Sequence, residues 1–172
     1  MKKSSILIAL IVVVAAVAVV LVISSNNSKT AISGNFNLID ASQISLEKYQ
    51  GKVVVIDFWA SWCHPCRQQM PVIEEFYKRL PKTDCVELIA VNLGESVSKV
   101  NDFLSKHPVP YQVAVDPTGR FGSKFGVTAL PTIVVIGRDG KVIDLIRGFS
   151  PSVDTYLEST IRNVAPECVP SA

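Results

Sequence analysis

The chain is predicted to fold as an α/β domain on a mixed central sheet with helices on both faces. Three observations carry this. Val53–Trp59 and Val86–Leu93 are nearly continuous apolar runs rich in β-branched residues, a segment of helical period lies between them, and two further apolar runs flank Gly137-Arg138-Asp139-Gly140.

Taken in order, Val53–Trp59 reads as a strand covered on both faces, with Asp57 as its one charged residue. Val72, Ile73, Phe76 and Leu80 then recur at helical spacing through 68–80, and Pro81 ends the pattern. Val86–Leu93 is the next buried strand, so a right-handed crossover makes the two strands parallel. Ser96 is placed to cap a short inserted helix carrying Val97, Val100, Phe103 and Leu104, which stops before Pro108 and Pro110. A short strand over 111–115 is followed by the turn Asp116-Pro117-Thr118-Gly119 and a brief helix over 121–125, halted by Gly126. Thr132–Ile136 and 142–146 form a hairpin around the Gly137–Gly140 turn signal, and Val153–Val164 is a closing amphipathic helix.

Lys2 and Lys3 precede eighteen uninterrupted apolar residues, 6–23. At about 1.5 Å per residue these span roughly 27 Å, close to the hydrocarbon thickness of a bilayer. Residues 1–23 are therefore read as a cytoplasmic stub and transmembrane signal-anchor, 24–34 as a polar linker, and 35–172 as the folded domain. A cleaved secretory signal is the alternative; against it, five more apolar residues and no polar segment follow Ala16-Val17-Ala18. With both lysines before the span, the expected location is the cell membrane, single-pass, with the domain on the extracytoplasmic side. Beyond Lys3 the basic and acidic residues balance, fifteen against fifteen, which removes the electrostatic footprint of a nucleic-acid binder.

Chemistry concentrates in Trp62-Cys63-His64-Pro65-Cys66. Two cysteines three positions apart, at the junction of a strand and a helix, let one thiol attack and the other resolve. A cysteine at a helix start also feels the unpaired N–H groups there, which favour thiolate over thiol. Pro65 fixes φ and lacks an N–H where the first helical turn needs none. Half of a zinc site is the competing interpretation; with no second C-x-x-C and only His64 and His107 in the chain, no metal is expected. Nor does a peroxidatic cysteine need a partner three residues away.

These residues resemble the thioredoxin superfamily, and within it the membrane-anchored extracytoplasmic ResA/TlpA-like thiol-disulfide oxidoreductases. The resemblance covers roughly 35–164. It rests on Asp57-Phe58-Trp59-Ala60-Ser61-Trp62-Cys63-His64-Pro65-Cys66, Ala90-Val91-Asn92-Leu93-Gly94-Glu95-Ser96, Gly126-Val127-Thr128-Ala129-Leu130-Pro131-Thr132 and Asp139-Gly140-Lys141-Val142, in the family's order. It implies a thioredoxin-like fold, Cys63 as exposed nucleophile and Cys66 as buried resolving thiol. Pro131 matches the family's cis-proline, and Trp62, His64, Pro65, Leu130 and Pro131 are expected to form the active-site loop and substrate groove. No cofactor is implied beyond the redox-active disulfide.

Two positions depart from the nearer relatives. Asp57 has the thioredoxin identity where ResA-like chains carry an uncharged polar residue, and Gln69 stands where they carry a glutamate. Asp57 is therefore expected to be buried, to have a raised pKa, and to exchange a proton with Cys66; a solvated edge position is the alternative. His64 replaces an acidic residue, and an imidazole there either favours the Cys63 thiolate or only adjusts substrate choice.

Cys85 and Cys168 flank, in a sheet of this kind, the end away from the dithiol. They form a structural bridge closing a loop of roughly 80 residues, worth about 4–5 kcal/mol in the chain-entropy model, or else are two unrelated cysteines. The function expected from the resemblance is an anchored oxidoreductase acting on protein thiols and disulfides, in the reducing direction. Its substrates would include apocytochrome c cysteines, and a membrane thiol donor would supply its electrons. A disulfide-forming oxidase is the alternative that His64 suggests, and a binding module or chaperone with an idle dithiol is the third.

Overall fold

A computed structural model describes residues 34–81 and 83–170. Among them no helix is long and apolar enough to cross a membrane. The expected span over 6–23 and residues 24–33 of the linker lie outside the described residues.

Seven strands make one mixed sheet: β1 (Asn35–Leu38), β2 (Gln43–Ser45), β3 (Val53–Trp59), β4 (Val86–Leu93), β5 (Gln112–Asp116), β6 (Thr132–Ile136) and β7 (Val142–Arg147), in the order β2-β1-β5-β4-β3-β6-β7. Strands β3, β4 and β5 run parallel, and β6 pairs antiparallel to the other edge of β3. Four α-helices, α1 (His64–Arg79), α2 (Val97–Leu104), α3 (Arg120–Lys124) and α4 (Val153–Val164), complete the domain with short 3-10 turns at Leu46–Tyr49 and Pro166–Cys168. The elements expected from residue 53 onward all form, within a few residues of their expected limits.

Alternation along β3 sorts the core into two layers. Val53, Val55 and Trp59 pack with Ile73 and Phe76 of α1, Val100 of α2 and Val153, Leu157 and Ile161 of α4. Val54, Ile56 and Phe58 pack on the opposite face with Phe36, Leu46, Tyr49, Phe121 and Phe125. Every residue of β3 is buried, as its unbroken apolar run implied. Helix α1 contains Pro71, which can donate no hydrogen bond to the Arg67 carbonyl, yet the helix continues to Arg79.

The β1–β2 hairpin was not legible in the sequence. Its strands are four and three residues long and bury only Phe36 and Ile44 between them, too little for a period-2 signal. They form because β1 pairs with β5, through Asn37 opposite Val115 and Leu38 opposite Ala114. Asp40 closes the turn by accepting from Ser42 N (2.9 Å) and Ser42 Oγ (2.6 Å).

Phe58 lies at the centre of the second layer, its ring 6.1 Å from Phe121 and 5.9 Å from Phe125. Phe58→Ala is expected to lower stability by about 3–5 kcal/mol. The check is a reduced denaturant midpoint with an unchanged m-value.

Candidate active site

Strand β3 ends at Trp59, and the chain turns through Ala60-Ser61-Trp62 into α1, with Cys63 N donating to Ala60 O (3.1 Å). Cys63 is the N-cap of α1, with extended backbone at φ −77° and ψ 105°, and its Sγ accepts from Cys66 N at 3.2 Å. Pro65 occupies the first turn. The two cysteines are joined as a disulfide with Cα atoms 5.3 Å apart. Sulfur therefore takes the place of the usual capping oxygen, so Cys63 meets the positive end of the helix directly. No acidic residue lies in the first turn.

The expectation that Cys63 is the exposed cysteine needs correcting. Cys63 is 4% exposed and Cys66 1%, because the capping geometry folds the Cys63 side chain back over the first turn. Both neighbours of Cys63 are exposed, Trp62 (65%) and His64.

Ser61 is held from both sides. Its N–H and hydroxyl donate to the Glu95 carboxylate at 2.6 and 2.7 Å, and its carbonyl accepts from Arg67 Nη1 at 2.7 Å. Glu95, itself buried, also accepts from Asn92 Nδ2 (2.8 Å) and pairs with Lys99 Nζ (2.8 Å). Burial alone would raise this carboxyl, but the bonds from Lys99, Asn92 and Ser61 outweigh it and hold the pKa at about 2. The loop that carries Trp62 is thus tied to the inserted segment after β4. Arg67 also places Nη2 3.4 Å from His64 Nδ1, so two basic side chains flank the start of α1.

Asp57 is 2% exposed in the middle of the central strand, opposite Ala90 of β4 and Ile133 of β6. As an odd-numbered residue of β3 it shares the face of Val55 and Trp59, beneath α1. The contact is made by Gln69, whose Nε2 donates to Asp57 Oδ1 at 3.1 Å. Gln69 lies one turn beyond Cys66 on the buried side of α1. Desolvation pushes the Asp57 carboxyl up to about 7, with the Gln69 bond opposing only in part. Asp57 lies among side chains that include Met70, Leu104, Val109 and Tyr111, which leave no space for a water molecule beside it.

Leu130 and Pro131 directly precede β6, and the Leu130–Pro131 bond is cis. Since Thr132 pairs with Phe58, Pro131 falls beside Trp59 and the turn into α1. Gly148 N donates to Pro131 O (2.9 Å), which brings Phe149, 38% exposed, to the same edge. Cys85 and Cys168 are also joined as a disulfide, with Cα atoms 5.5 Å apart. They sit at the opposite end of the sheet: Val53 N, at the start of β3, donates to Cys85 O. Among the described residues no third ligand-type side chain joins Cys63 and Cys66.

A cysteine pair capping a helix at the end of a central parallel strand, over a buried carboxyl, defines the chain as a thioredoxin-like thiol-disulfide oxidoreductase. The Redoxin family profile matches residues 25–161, and the chain belongs to that family. It is 34% identical over 128 residues to the thiol-disulfide oxidoreductase ResA of Bacillus thuringiensis subsp. konkukian, covering 74% of this chain and 72% of that one. To ResA of Bacillus subtilis it is 34% identical over 131 residues, covering 75% and 69%. Among solved structures it superposes on a Chlorobium tepidum protein provisionally described as the thiol:disulfide interchange protein DsbE, with TM-score 0.68, 33% identity and coverage of 78% and 94%. StoA of Bacillus subtilis shares the fold, with TM-score 0.64, 23% identity and coverage of 75% and 96%.

Sequence reasoning missed three contributors: Glu95, Arg67 and the contact of Gln69 with Asp57. Glu95 stands inside the family-like stretch 90–96, but nothing in the sequence points to its contact with Ser61. Asp57 and Glu95 have opposite effects on stability. The raised pKa of Asp57 means that its contribution is present below the ordinary carboxylate range and is lost as pH rises through about 7. Asp57→Asn is expected to be more stable than wild type above pH 7, by roughly 1.4 kcal/mol for each unit of the shift, with the gap closing toward pH 4. Glu95 contributes above its ordinary range and loses this as pH falls toward about 2. Glu95→Gln should therefore cost roughly 1–3 kcal/mol at neutral pH and progressively less in acid. Urea melts of the three proteins between pH 3 and 9 measure both.

Proposed function

We propose that the protein is an extracytoplasmic disulfide reductant, tethered to the membrane through residues 6–23, that delivers two electrons from Cys63 and Cys66 to protein disulfides. The single observation that carries the chemistry is Cys63 capping α1 through its sulfur, with Cys66 one turn inside. The Cys63 thiolate attacks one substrate sulfur, and the other substrate sulfur departs as a thiolate. Cys66 then gives its proton to Asp57, attacks Cys63 Sγ and closes the disulfide, expelling the second substrate thiolate. A carboxyl near pH 7 is suited to this exchange, because it accepts a proton readily and returns it when the dithiol is regenerated. Trp62 and Phe149 are exposed and Leu130 is half-buried, and these supply the apolar surface for an extended substrate segment, with the buried cis Pro131 shaping the backbone beneath.

The extracytoplasmic location is supported by the lysines before the apolar run and by a side of the membrane where disulfides persist. Apocytochrome c cysteines are the substrate class suggested by the family resemblance, with a membrane thiol donor regenerating the dithiol. A second reading, net oxidation of substrate thiols, is favoured by one observation: the start of α1 carries His64 and Arg67 and no acidic side chain. Positive charge there stabilises the Cys63 thiolate and makes the disulfide more oxidising.

Cys63→Ala is expected to abolish insulin-disulfide reduction, and Cys66→Ala to accumulate a mixed disulfide through Cys63 whose captured partner can be identified by mass spectrometry. Wild type that reduces insulin no faster than Cys63→Ala would leave only a binding role. Reduction potentials of wild type and His64→Glu separate the two directions of electron flow. The oxidising reading requires a wild-type potential near those of disulfide-forming proteins that falls in the variant. A low potential unaffected by the substitution supports the reductant.

A further inference from the structure

The second disulfide has an environment that a cross-link alone does not require. Arg138, in the turn between β6 and β7, places Nη2 3.1 Å from Cys168 Sγ and 3.5 Å from Cys85 Sγ. Its backbone is fixed by Gly51 N donating to Arg138 O (3.0 Å), and Glu167 holds the guanidinium through an ion pair. A disulfide sulfur is a weak acceptor and gains little from a cation. A thiolate gains a great deal, since an opposite charge within about 4–6 Å lowers an acid's pKa by 1–3 units. The two residues also differ in access: Cys168 is fully buried, whereas Cys85 is half-buried. An external thiol therefore approaches from the Cys85 side, and the sulfur that would leave is Cys168, the one nearer the guanidinium.

We propose that Cys85–Cys168 is a second exchangeable disulfide, opened by an external dithiol that attacks Cys85 and expels Cys168 as a thiolate held by Arg138. In the first step the incoming thiolate bonds to Cys85 Sγ, and the electron pair of the Cys85–Cys168 bond leaves on Cys168. The reductant's second thiol loses its proton and attacks the mixed disulfide, releasing Cys85 as a thiolate that takes up a proton. Two electrons enter the pair and the reductant ends as a disulfide. The neighbouring charges are the Glu167 carboxylate, which opposes the new thiolate but aims the guanidinium, and Asp84, which is neutralised by Lys52. Opening the bond removes the covalent tie between the 3-10 turn Pro166–Cys168 and the start of β4, leaving the turn held by the core packing of Ala165, Cys168 and Val169. The site is chemically independent of the function proposed above.

The test uses full-length protein carrying Cys63→Ser and Cys66→Ser, so that only this pair can exchange and failure of either proposal is visible separately. The oxidised protein is treated with dithiothreitol at neutral pH without denaturant, quenched in acid, alkylated and mapped by mass. The bond is expected to open while tryptophan fluorescence stays native, and the monothiol glutathione is expected to be trapped on Cys85. Adding Arg138→Met should slow opening about tenfold, as loss of a unit or more of leaving-thiol stabilisation implies, with Arg138→Lys between the two. If the arginine variants do not fold, thiolate ultraviolet absorbance of the reduced parent decides: one of its two thiols should ionise below the ordinary range near 8.5. The proposal is overturned if thiols appear only on unfolding, if glutathione resides on Cys168, if Arg138→Met opens as fast as its parent, or if both thiols ionise in the ordinary range.

Discussion

Strand β3 is buried on both faces and hydrogen-bonded on both edges, to β4 and to β6, and the position of every group in the active site follows from where it ends. A strand so enclosed cannot slip by one residue without exchanging the contents of the two core layers. That fixes Asp57 on the α1 side and Trp59 at the last paired position. It fixes the turn into α1 as well, so that Cys63 caps the helix. The cis Leu130–Pro131 segment reaches the same place because β6 is registered on the same strand. Disulfide chemistry at this site is in that sense a property of one strand's register.

Two of the buried carboxyls, Asp57 and Glu95, show how differently the same side-chain chemistry is used in one site. Glu95 is surrounded by donors, two from Ser61, one from Asn92 and one from Lys99, and stays ionised far into acid. It acts as a rigid peg, because an ionised group with satisfied lone pairs has nothing to gain by moving or accepting a proton. Among the described residues Asp57 has a single donor, Gln69, and mostly apolar surroundings that include the Tyr111 ring, so desolvation dominates and raises its pKa to about 7. Abundant donors hold Glu95 ionised, whereas full desolvation with a single donor raises Asp57. Gln69 fits this division: a glutamate in its place would put a second carboxyl beside the first, and the pair would titrate jointly.

The sheet also separates two disulfides by about the length of strand β3, seven residues at about 3.3 Å each, or roughly 23 Å. Cys63–Cys66 meets a helix end with His64 and Arg67, and Cys85–Cys168 meets Arg138 in a hairpin turn. Both therefore place positive charge or its equivalent beside a sulfur, although the sources are unrelated. The first device is built into local sequence, whereas the second needs three distant segments, around residues 85, 138 and 168.

The sequence by itself determined what depends on nearest neighbours and period: the buried strands, the amphipathic helices, the Gly137–Gly140 turn and the Cys63–Cys66 pair with its capping position. It also singled out Asp57, because a charge inside an otherwise apolar run must be buried if the run is a central strand. Tertiary structure alone decided the rest. The β1–β2 hairpin exists through pairing with β5, too weak to announce itself in seven residues. Glu95 gained its role only when the segment after β4 came to lie under Ser61, 34 positions earlier, and Gln69 became Asp57's partner only when α1 folded onto its strand. Cys63 turned out nearly as buried as Cys66, since exposure depends on how a side chain folds over its own cap. Arg138 met Cys168 across the end of the sheet. Each of these is a contact between segments remote in sequence, and periodicity, which reports only which face a residue occupies, carries no information about what that face will meet.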